Sequence, residues 1–424
     1  MKFKPNKPPM GWNSWDCYGA SVKEEEVRRN ADYMAKNLKP YGWEYVVVDI
    51  QWFEPAATSA DYNLNAKLEM DEYGRLMPAV NRFPSAEGGK GFKPLGDYIH
   101  SLGLKFGIHI LRGIPKQAIR ENTKILGTNA TAAQIADFGS TCAWNGDMCG
   151  VDMSREGAQA YYDSLFELYA SWGVDFIKVD DIARPYHKAE VEAIQKAIQK
   201  CGREIVLSLS PGDATLKEAE HLSKFANMWR MTDDFWDGWE QLKKMFDYCR
   251  DWFPYVKEGS WPDCDMLPLG RIGIRSHGGD RMSRFTHDEQ KMLMSLWCIF
   301  RSPLMFGGDM IYNDEFTLSL MTNKELMEIN QKGNSGREVY RKGNEIVWAS
   351  NGEEGVYYLA QFNVGEEEIK AKTPLAFLGI NQELTGVEIW TNTQAEINEE
   401  NEVVSQVAPH GVKLYKLSYK SSFR

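Results

Sequence analysis

Two short segments each place a basic residue and an aspartate where they could act together. Lys178 and Asp180 are two residues apart in the apolar run DFIKVDD, so both point to one face of a strand. Arg230 and Asp234 are four apart in MWRMTDD, an even spacing that also puts them on one face. A cation favours the ionised form of a neighbouring carboxylate, and an ionised carboxylate in a buried site can act as a nucleophile. Structural ion pairs inside the protein are the alternative interpretation.

Paired carboxylates support more than one chemistry. In glycoside hydrolysis, one carboxylate attacks the anomeric carbon and the other protonates the leaving oxygen. The same pair could hold a divalent cation, because hard cations prefer oxygen ligands, and a chelator would then inactivate the protein. A non-catalytic sugar-binding protein is a third alternative, which predicts the loss of one carboxylate. The seven histidines are dispersed without HExxH-type spacing, and we expect neither a metal nor a cofactor.

The elements that must position these residues alternate along the first three quarters of the chain. Apolar runs predict strands at 45–50, 105–110, 175–181, 204–210, 228–234 and 303–310, with weaker candidates at 10–15 and 261–267. Helical patterns lie between them, for example at 24–39, 155–172 and 237–252. Strands that are apolar throughout and alternate with helices predict a parallel sheet covered on both sides. Eight of them favour a closed (β/α)8 TIM barrel over residues 1–334.

Polar residues at the strand ends support a barrel over an open sheet. They are Asp49, His109, Asp180, Asp181, Ser210, Asp234, Asp265 and Asp309. A (β/α)8 barrel builds its active site from the carboxyl ends of several strands at once. An open doubly wound sheet uses one switch point, usually with a glycine-rich turn, and no GxGxxG or GxxxxGK motif follows a predicted strand.

The alternation of strand-like and helical patterns ends near residue 335. Alternating strand-like segments separated by turn-rich pieces predict a C-terminal antiparallel β-sandwich domain over residues 335–424. Within the barrel, the segment from Thr123 to Asp152 is rich in Ala, Thr, Asn and Gly. It predicts a long loop at the barrel mouth, and long loops in compact domains are usually functional or disordered.

Composition excludes several partners. The 424 residues include 60 acidic and 49 basic side chains, a net charge of -11, which is poorly suited to binding a nucleic-acid backbone. No run of about 18 apolar residues predicts a membrane span. The seven cysteines are scattered without a CxxC pair, and the amino-terminal segment has no apolar core typical of a signal peptide, so we expect a reduced, cytoplasmic protein. A homo-oligomer is compatible with the sequence.

Six motifs in order resemble those of one enzyme family. They are PPMGWNSW, the Asp-x-x-Trp run from Asp49, KVDD, the Trp-Arg-x-x-x-Asp run, WPDCDML and RSPLMFGGDM. The chain is similar over essentially its whole length to glycoside hydrolase family 27, which includes α-galactosidases, α-N-acetylgalactosaminidases and β-L-arabinopyranosidases. The resemblance implies a (β/α)8 barrel with an antiparallel β domain, and a retaining exo-glycosidase acting on a small carbohydrate or glycoside.

The resemblance also implies residue roles. Asp180 matches the position of the nucleophile and Asp234 that of the general acid/base. Five further residues fall on positions that line the family's sugar site: Trp15, Asp49, Lys178, Arg230 and Asp265.

One departure bears on the sugar. The family's galactosidases typically have Asp-Asp-Cys-Trp where this chain has Asp49-Ile50-Gln51-Trp52, and the second aspartate helps to hold galactose hydroxyls near C4 and C6. Ile50 cannot accept those hydrogen bonds and takes space where the hydroxymethyl group would lie. L-Arabinopyranose has the galactose ring configuration without that group, so we expect a β-L-arabinopyranosidase. If Ile50 packs away from the sugar, the chain is an α-D-galactosidase with the same catalytic pair.

Other departures concern the walls of the site. His109 stands where many members have Tyr, and predicts either a contact to a sugar hydroxyl or a supporting role. Ser210 lies where galactosidases often have bulkier residues after strand five and is a candidate contact near the sugar 2-position. Gln51 and Ile182 replace cysteines of two family disulfides, as expected in a reducing compartment.

Overall fold

A computed structural model describes residues 2–380 and 382–420, and within these ranges eight parallel strands form one curled sheet. In chain order they are β1 Met10–Asn13, β2 Tyr45–Val48, β3 Lys105–Leu111, β4 Val174–Asp180, β5 Val206–Leu209, β6 Met228–Arg230, β7 Trp261–Asp263 and β8 Leu304–Phe306. Each of the strands β1 to β6 pairs with the next strand in the chain, and β8 pairs with β1. A bridge between Leu267, just after β7, and Phe306 of β8 closes the ring, which confirms the predicted (β/α)8 barrel.

The strands β2 and β6 end earlier than their apolar runs because aspartates turn the chain out of the sheet. Beyond β2, the Asp49 carboxylate accepts the Ile50 backbone N–H at 2.8 Å. Beyond β6, Asp233 likewise accepts the Asp234 N–H at 2.9 Å. Such local side-chain acceptors compete with the sheet for backbone donors. Asp49, Asp233 and Asp234 therefore lie in short turns beyond the strands.

Helices cover the outside of the sheet. They are α1 Glu24–Asn37, α2 Lys93–Ser101, α3 Ala158–Ser171, α4 Lys188–Cys201, α5 Ala219–Phe225, α6 Trp239–Trp252, α7 His287–Phe300 and α8 Lys324–Lys332. Shorter helices lie in the connections at Trp15–Tyr18, Lys116–Glu121, Ala132–Ile135 and Glu315–Met321. α7 begins with a capping box in which Thr286 accepts the Glu289 N–H and Glu289 accepts the Thr286 N–H, so both backbone donors are satisfied.

The segment expected as a long loop is instead ordered by a small sheet. Three antiparallel strands, Ile114–Pro115, Ala136–Thr141 and Met148–Val151, pair over the barrel mouth. Pairing satisfies backbone groups that an irregular loop would leave to water. The tip between the last two of these strands carries Trp144 toward the cavity described below.

The C-terminal part is antiparallel, as predicted. Its strands are β9 Asn334–Lys342, β10 Glu345–Asn351, β11 Val356–Asn363, β12 Ile369–Pro374, β13 Leu384–Glu388, β14 Thr393–Gln394, β15 Glu402–Val407 and β16 Val412–Tyr419. Six form one sheet in the order β9-β10-β11-β16-β13-β14, and β12 pairs with β15. Within the described ranges, no helix has the length and apolar character needed to cross a membrane.

The C-terminal sheet packs directly on the barrel helices. The rings of Phe362 on β11 and Phe246 on α6 lie 4.9 Å apart. The Trp390 indole donates a hydrogen bond of 3.0 Å to the Ser295 hydroxyl on α7. Because Phe362 and Phe246 belong to one buried apolar cluster, the two parts share a continuous core.

Candidate active site

A cavity of about 200 Å³ opens at the carboxyl ends of the barrel strands. This volume is below the roughly 300–1,000 Å³ typical of sites for drug-sized ligands, and it suits a ligand as small as one sugar ring. Eight of the ten residues that the sequence predicts for the site line it: Trp15, Asp49, Ile50, Lys178, Asp180, Arg230, Asp234 and Asp265. His109 and Ser210 are not among the lining residues.

Asp180 ends β4 and is held from two sides. Its Oδ2 lies 3.2 Å from Nε2 of His109, and its Oδ1 accepts the Asp181 backbone N–H at 2.9 Å. Burial favours the protonated form, but the hydrogen bond and charge of His109, followed by the charge of Lys178, outweigh it and hold the pKa of Asp180 below its usual range. The carboxylate is therefore ionised and oriented toward the cavity.

Lys178 contacts a different carboxylate from the one its spacing suggests. Its ammonium group donates to Oδ2 of Asp49 at 3.0 Å, and the Asn13 amide donates to the same oxygen at 2.8 Å. Burial opposes ionisation of Asp49, but the charge of Lys178 leads the influences that keep its pKa lowered. Lys178 thus supports Asp180 by charge at longer range, while His109 provides the contact.

Arg230 connects the two acidic residues on the opposite wall. One guanidinium nitrogen lies 2.8 Å from Oδ1 of Asp265, and the other donates to Oδ1 of Asp234 at 3.1 Å. The Asp265 side chain is 8% exposed and that of Asp234 is 57% exposed. Asp234 is therefore positioned by Arg230 while its carboxyl stays open to the cavity mouth, where it can exchange protons.

Ile50 forms an apolar part of the wall. It is 1% exposed and belongs to a small apolar cluster with Ala20, Leu111 and Met148, against which Trp15 packs. The backbone N–H of Ile50 is bonded to Asp49, which fixes the start of the turn. The Ile50 side chain thus packs in this apolar cluster, and residue 50 is one of those that line the cavity.

Aromatic rings surround the opening. Tyr62 stacks on Trp15 with ring centroids 6.3 Å apart, and Trp144 lies 5.7 Å from Tyr62. His277 contacts Trp15 on one side and Trp236 on the other, at 5.7 and 5.9 Å. Trp144 keeps 39% of its surface exposed, so this chain of rings offers flat apolar faces to a ligand in the cavity.

His109 and Ser210 lie behind the wall. His109 is fully buried, and its contact is with Asp180, which favours the supporting role of the two considered. The Ser210 hydroxyl lies 3.5 Å from the Val179 carbonyl oxygen, and the cavity wall at this point is Pro211. The bend after β5 thus turns the Ser210 side chain back toward the sheet, so the structure does not bring it to the cavity.

The other acidic strand ends have structural partners. Asp181 pairs with Arg112 at 2.8 Å, and Asp309 pairs with Arg29 at 2.7 Å. Asp263 accepts the backbone N–H of Asp265. Within the described ranges, no group of three or more His, Cys, Asp or Glu side chains is arranged to hold a metal ion.

Several lining residues were not among the ten predicted for the site. Tyr62, Trp144 and Trp236 lie on loops, where no periodic pattern indicates which way a side chain points. Asp16 follows Trp15 directly, so its position one residue beyond the predicted first strand could have revealed it.

The chemistry that this arrangement supports is acid/base and nucleophilic catalysis, because an ionised and an exposed carboxyl group share one small cavity.

Comparisons with known proteins match the chain to family models and to relatives. The family model described as alpha galactosidase A matches residues 127–332, and the model of the alpha galactosidase C-terminal beta sandwich domain matches residues 342–417. Alpha-galactosidase 2 of Arabidopsis thaliana is 26% identical over 423 residues, covering 98% of this chain and 90% of the relative.

A more similar protein is found among solved structures. The structure of a family 27 β-L-arabinopyranosidase from Geobacillus stearothermophilus is 58% identical, with a TM-score of 0.97, and the match covers 99% of this chain and 98% of that one. A variant of the same enzyme has been solved in complex with arabinose, at a TM-score of 0.96.

Proposed function

Because this chain belongs to glycoside hydrolase family 27, we propose that it is a retaining exo-glycosidase that releases terminal β-L-arabinopyranose. The observation that carries the choice of sugar is Ile50 in the cavity wall. A galactose hydroxymethyl group beside Ile50 would be buried without an acceptor there, at a cost of about 1–3 kcal/mol. A ring with only hydrogen at C5 avoids that cost. The relative at 58% identity is a β-L-arabinopyranosidase, which supports the same choice.

The first chemical step uses the difference between the two carboxyl groups. Asp180 attacks the anomeric carbon, since its ionised state is maintained by His109 and Lys178. Asp234 donates a proton to the glycosidic oxygen as the bond to the aglycone breaks. The product of this step is a covalent glycosyl-enzyme ester on Asp180 and a free aglycone.

The second step reverses the roles. A water molecule takes the place of the aglycone, and Asp234, now ionised, removes its proton while the oxygen attacks the anomeric carbon. The ester bond breaks, Asp180 leaves as a carboxylate and Asp234 is protonated again. Two inversions give net retention, so ¹H NMR of the first-formed sugar should show the anomeric configuration of the substrate.

An α-D-galactosidase is the second candidate. The curated relative from Arabidopsis thaliana, which covers 98% of this chain, is an α-galactosidase. The same catalytic pair, the same Asp49–Lys178 contact and the same barrel would serve it. Only the wall around Ile50 distinguishes the two proposals.

The test compares two nitrophenyl substrates with one leaving group. Wild-type protein should have the higher kcat/KM for the β-L-arabinopyranoside than for the α-D-galactoside. Ile50→Ala removes bulk and should raise the relative kcat/KM for galactoside. Ile50→Asp also restores an acceptor and should raise it further, because a buried charge-assisted hydrogen bond is strong. The effect belongs in kcat/KM, since discrimination reflects transition-state binding.

A conservative variant controls for disturbed packing. Ile50→Leu keeps the volume and polarity of the wall and should leave the substrate ratio close to that of the wild type. If wild-type protein prefers the galactoside, or if all three variants keep the wild-type ratio, Ile50 does not select the sugar. A wild-type preference for the galactoside would in addition assign the protein as an α-D-galactosidase.

A further inference from the structure

Asp16 is an acidic wall residue for which the mechanism above has no use. It follows β1 at the active-site end of the barrel and lines the cavity, although only 2% of its surface is exposed. Its Oδ2 is buried and has no hydrogen-bond partner within the described ranges. An unpaired buried oxygen costs about 1–3 kcal/mol, so a fold that keeps one at a binding site requires an explanation.

The other carboxylates of the wall differ from Asp16 in having a basic partner. Asp49 pairs with Lys178, Asp180 with His109, Asp233 with Arg184, and Asp234 and Asp265 with Arg230. Once these pairs are formed, no cation in the described part of the wall is left over for Asp16 alone. A negative charge on Asp16 would cost free energy in this small, acidic cavity, because no basic partner would offset its burial.

The groups facing Asp16 favour its neutral form. Burial, and next the charge of Asp265, raise the pKa of Asp16 well above its usual range; Lys178 opposes this, and Asp234 and Asp49 add to it. Cys17 beside it is a buried thiol whose own pKa is raised by burial. Negative neighbours thus come from the ends of β2, β6 and β7, and the single cation among these influences is already paired with Asp49.

Packing rather than hydrogen bonding holds the Asp16 carboxyl group. Gly307, at the end of β8, lies directly beneath it, and a Cβ atom at residue 307 would come within 2.0 Å of Asp16 Oδ2. The Asp16 main-chain carbonyl accepts the Gly273 N–H at 2.7 Å, which fixes the backbone. Oδ2 is therefore packed against Gly307, and the hydrogen-bonding capacity left for a ligand in the cavity is that of Oδ1, for which the described residues supply no partner.

We propose that Asp16 is a substrate-binding residue that stays protonated in the working enzyme and donates a hydrogen bond to a hydroxyl group of the bound sugar. A carboxylic acid has one O–H donor and retains acceptor capacity, and a sugar hydroxyl can complement either. This inference deepens the proposed function, on which it rests only for the choice of sugar. Asp16, which follows β1, thus supplies a neutral hydrogen-bond donor, and none of the charged pairs in the wall supplies one.

Two substitutions at residue 16 separate a neutral donor from a structural acid. Asp16→Asn keeps the shape and a donor, whereas Asp16→Ala removes both. Calorimetric titration with L-arabinose and with D-galactose, using whichever binds more tightly, should give an affinity for Asp16→Asn within about threefold of wild type. The affinity of Asp16→Ala should fall by roughly tenfold to a hundredfold, the cost of leaving a sugar hydroxyl unpaired.

The pH dependence of sugar affinity distinguishes a hydrogen-bond donor from a residue that only supports the fold. Wild-type affinity should decline as pH rises through the ionisation of Asp16, because the donor is lost and a charge appears beside Asp265. Asp16→Asn cannot ionise and should lack that decline, while other titrating groups act equally on both proteins. Asp61→Asn, which removes an exposed carboxylate outside the cavity wall, should follow the wild-type profile.

The proposal is overturned if Asp16→Asn loses as much affinity as Asp16→Ala, or if Asp16→Asn and wild type share one pH profile. If Asp16→Ala does not fold, the comparison of wild type with Asp16→Asn still decides. Because the titration uses whichever sugar binds, a wrong choice between arabinose and galactose changes only the sugar that is titrated, and the role of Asp16 is still tested.

Discussion

Asp180 and Asp234 reach the same cavity with different exposure, 15% and 57% of their side chains. The more buried carboxyl group is stabilised as an anion by His109, and the more exposed one accepts a hydrogen bond from Arg230. A buried, oriented anion suits a nucleophile, and an exposed carboxyl suits proton exchange with the aglycone and water. The difference in environment supports the division of roles.

Substitution of either residue should separate these roles. Asp180→Ala should abolish turnover of every substrate, because no group replaces the attacking oxygen. Asp234→Ala should slow alkyl glycosides by roughly 10²–10⁴ and nitrophenyl glycosides much less, because nitrophenol leaves without protonation. Steady-state kinetics with both aglycones checks this difference.

Azide serves as the control for that assignment. It should partly restore Asp234→Ala by attacking the glycosyl-enzyme in place of the activated water, and the glycosyl azide should keep the substrate configuration. Rescue of Asp180→Ala to a retained product would show that the two roles are reversed.

His109 should set the acid limit of activity. Its hydrogen bond is the leading influence that lowers the pKa of Asp180 against the effect of burial. Asp180 must be ionised to attack, so activity is lost as pH falls through its pKa. His109→Ala raises that pKa and should move the acid limb of kcat/KM to higher pH.

Two further variants test the source of that shift. His109→Asn offers an amide donor and should move the limb less than His109→Ala. His100→Ala breaks a contact to Asp175 on the outside of the barrel and should not move it. Identical acid limbs for wild type and His109→Ala would contradict the assignment.

At the scale of elements, loops rather than strands decide what lies outside the sugar pocket. Trp144 sits at the tip of the small antiparallel sheet over the mouth, next to Tyr62. Its exposed face, 39% of its surface, can stack on a ring-shaped aglycone. Aromatic contacts of this kind are worth about 0.5–1.5 kcal/mol beyond buried area.

Trp144→Ala should therefore reduce discrimination between aglycones. Benzyl and ethyl glycosides have similarly poor leaving groups, and the ratio of their kcat/KM values should fall by roughly two- to twelvefold in Trp144→Ala. Trp144→Phe keeps an aromatic ring and should retain most of the wild-type ratio. Phe138→Ala removes a 65% exposed ring from the same small sheet, outside the cavity wall, and should leave the ratio unchanged. An unchanged ratio in Trp144→Ala would remove Trp144 from the aglycone site.

At the scale of the whole molecule, the barrel and the C-terminal sheet are parts of one core. Phe362 is fully buried against Phe246 of α6, and Trp348 lies against Phe300 of α7. The ion pair between Lys416 and Glu325 of α8, at 2.8 Å, lies at the edge of the same interface. Surface pairs of this kind contribute little, so the apolar contacts carry the association.

Phe362→Ala should destabilise the entire protein. Removing a buried phenylalanine costs about 3–5 kcal/mol, and the shared core should lower Tm in a single transition by calorimetry. Phe377→Ala, at a ring that is 47% exposed in the same C-terminal part, should change Tm little. A separate low-temperature transition in Phe362→Ala, with the barrel transition unchanged, would show that the two parts unfold independently.

The fold class and much of the site follow from the amino-acid sequence alone. Apolar runs alternating with helical patterns predicted all eight barrel strands, because strands buried on both faces must be apolar throughout. The polar residues that end these runs meet at one edge by the geometry of parallel strands. Asp49, Asp180, Asp234 and Asp265 therefore line one cavity, which is also lined by Lys178 and Arg230 of the two spaced pairs and by Trp15 and Ile50, which the family resemblance indicated.

Which groups pair with one another depends on the tertiary fold. Lys178 contacts Asp49, 129 positions away in the chain, and His109 contacts Asp180, 71 positions away. Side-chain length and the neighbouring strand select these partners, and a two-residue period along one strand cannot. The same reason explains Ser210, which the bend after β5 turns toward Val179. It also explains Asp16, whose carboxyl group is buried against Gly307 only when the ends of β1 and β8 come together.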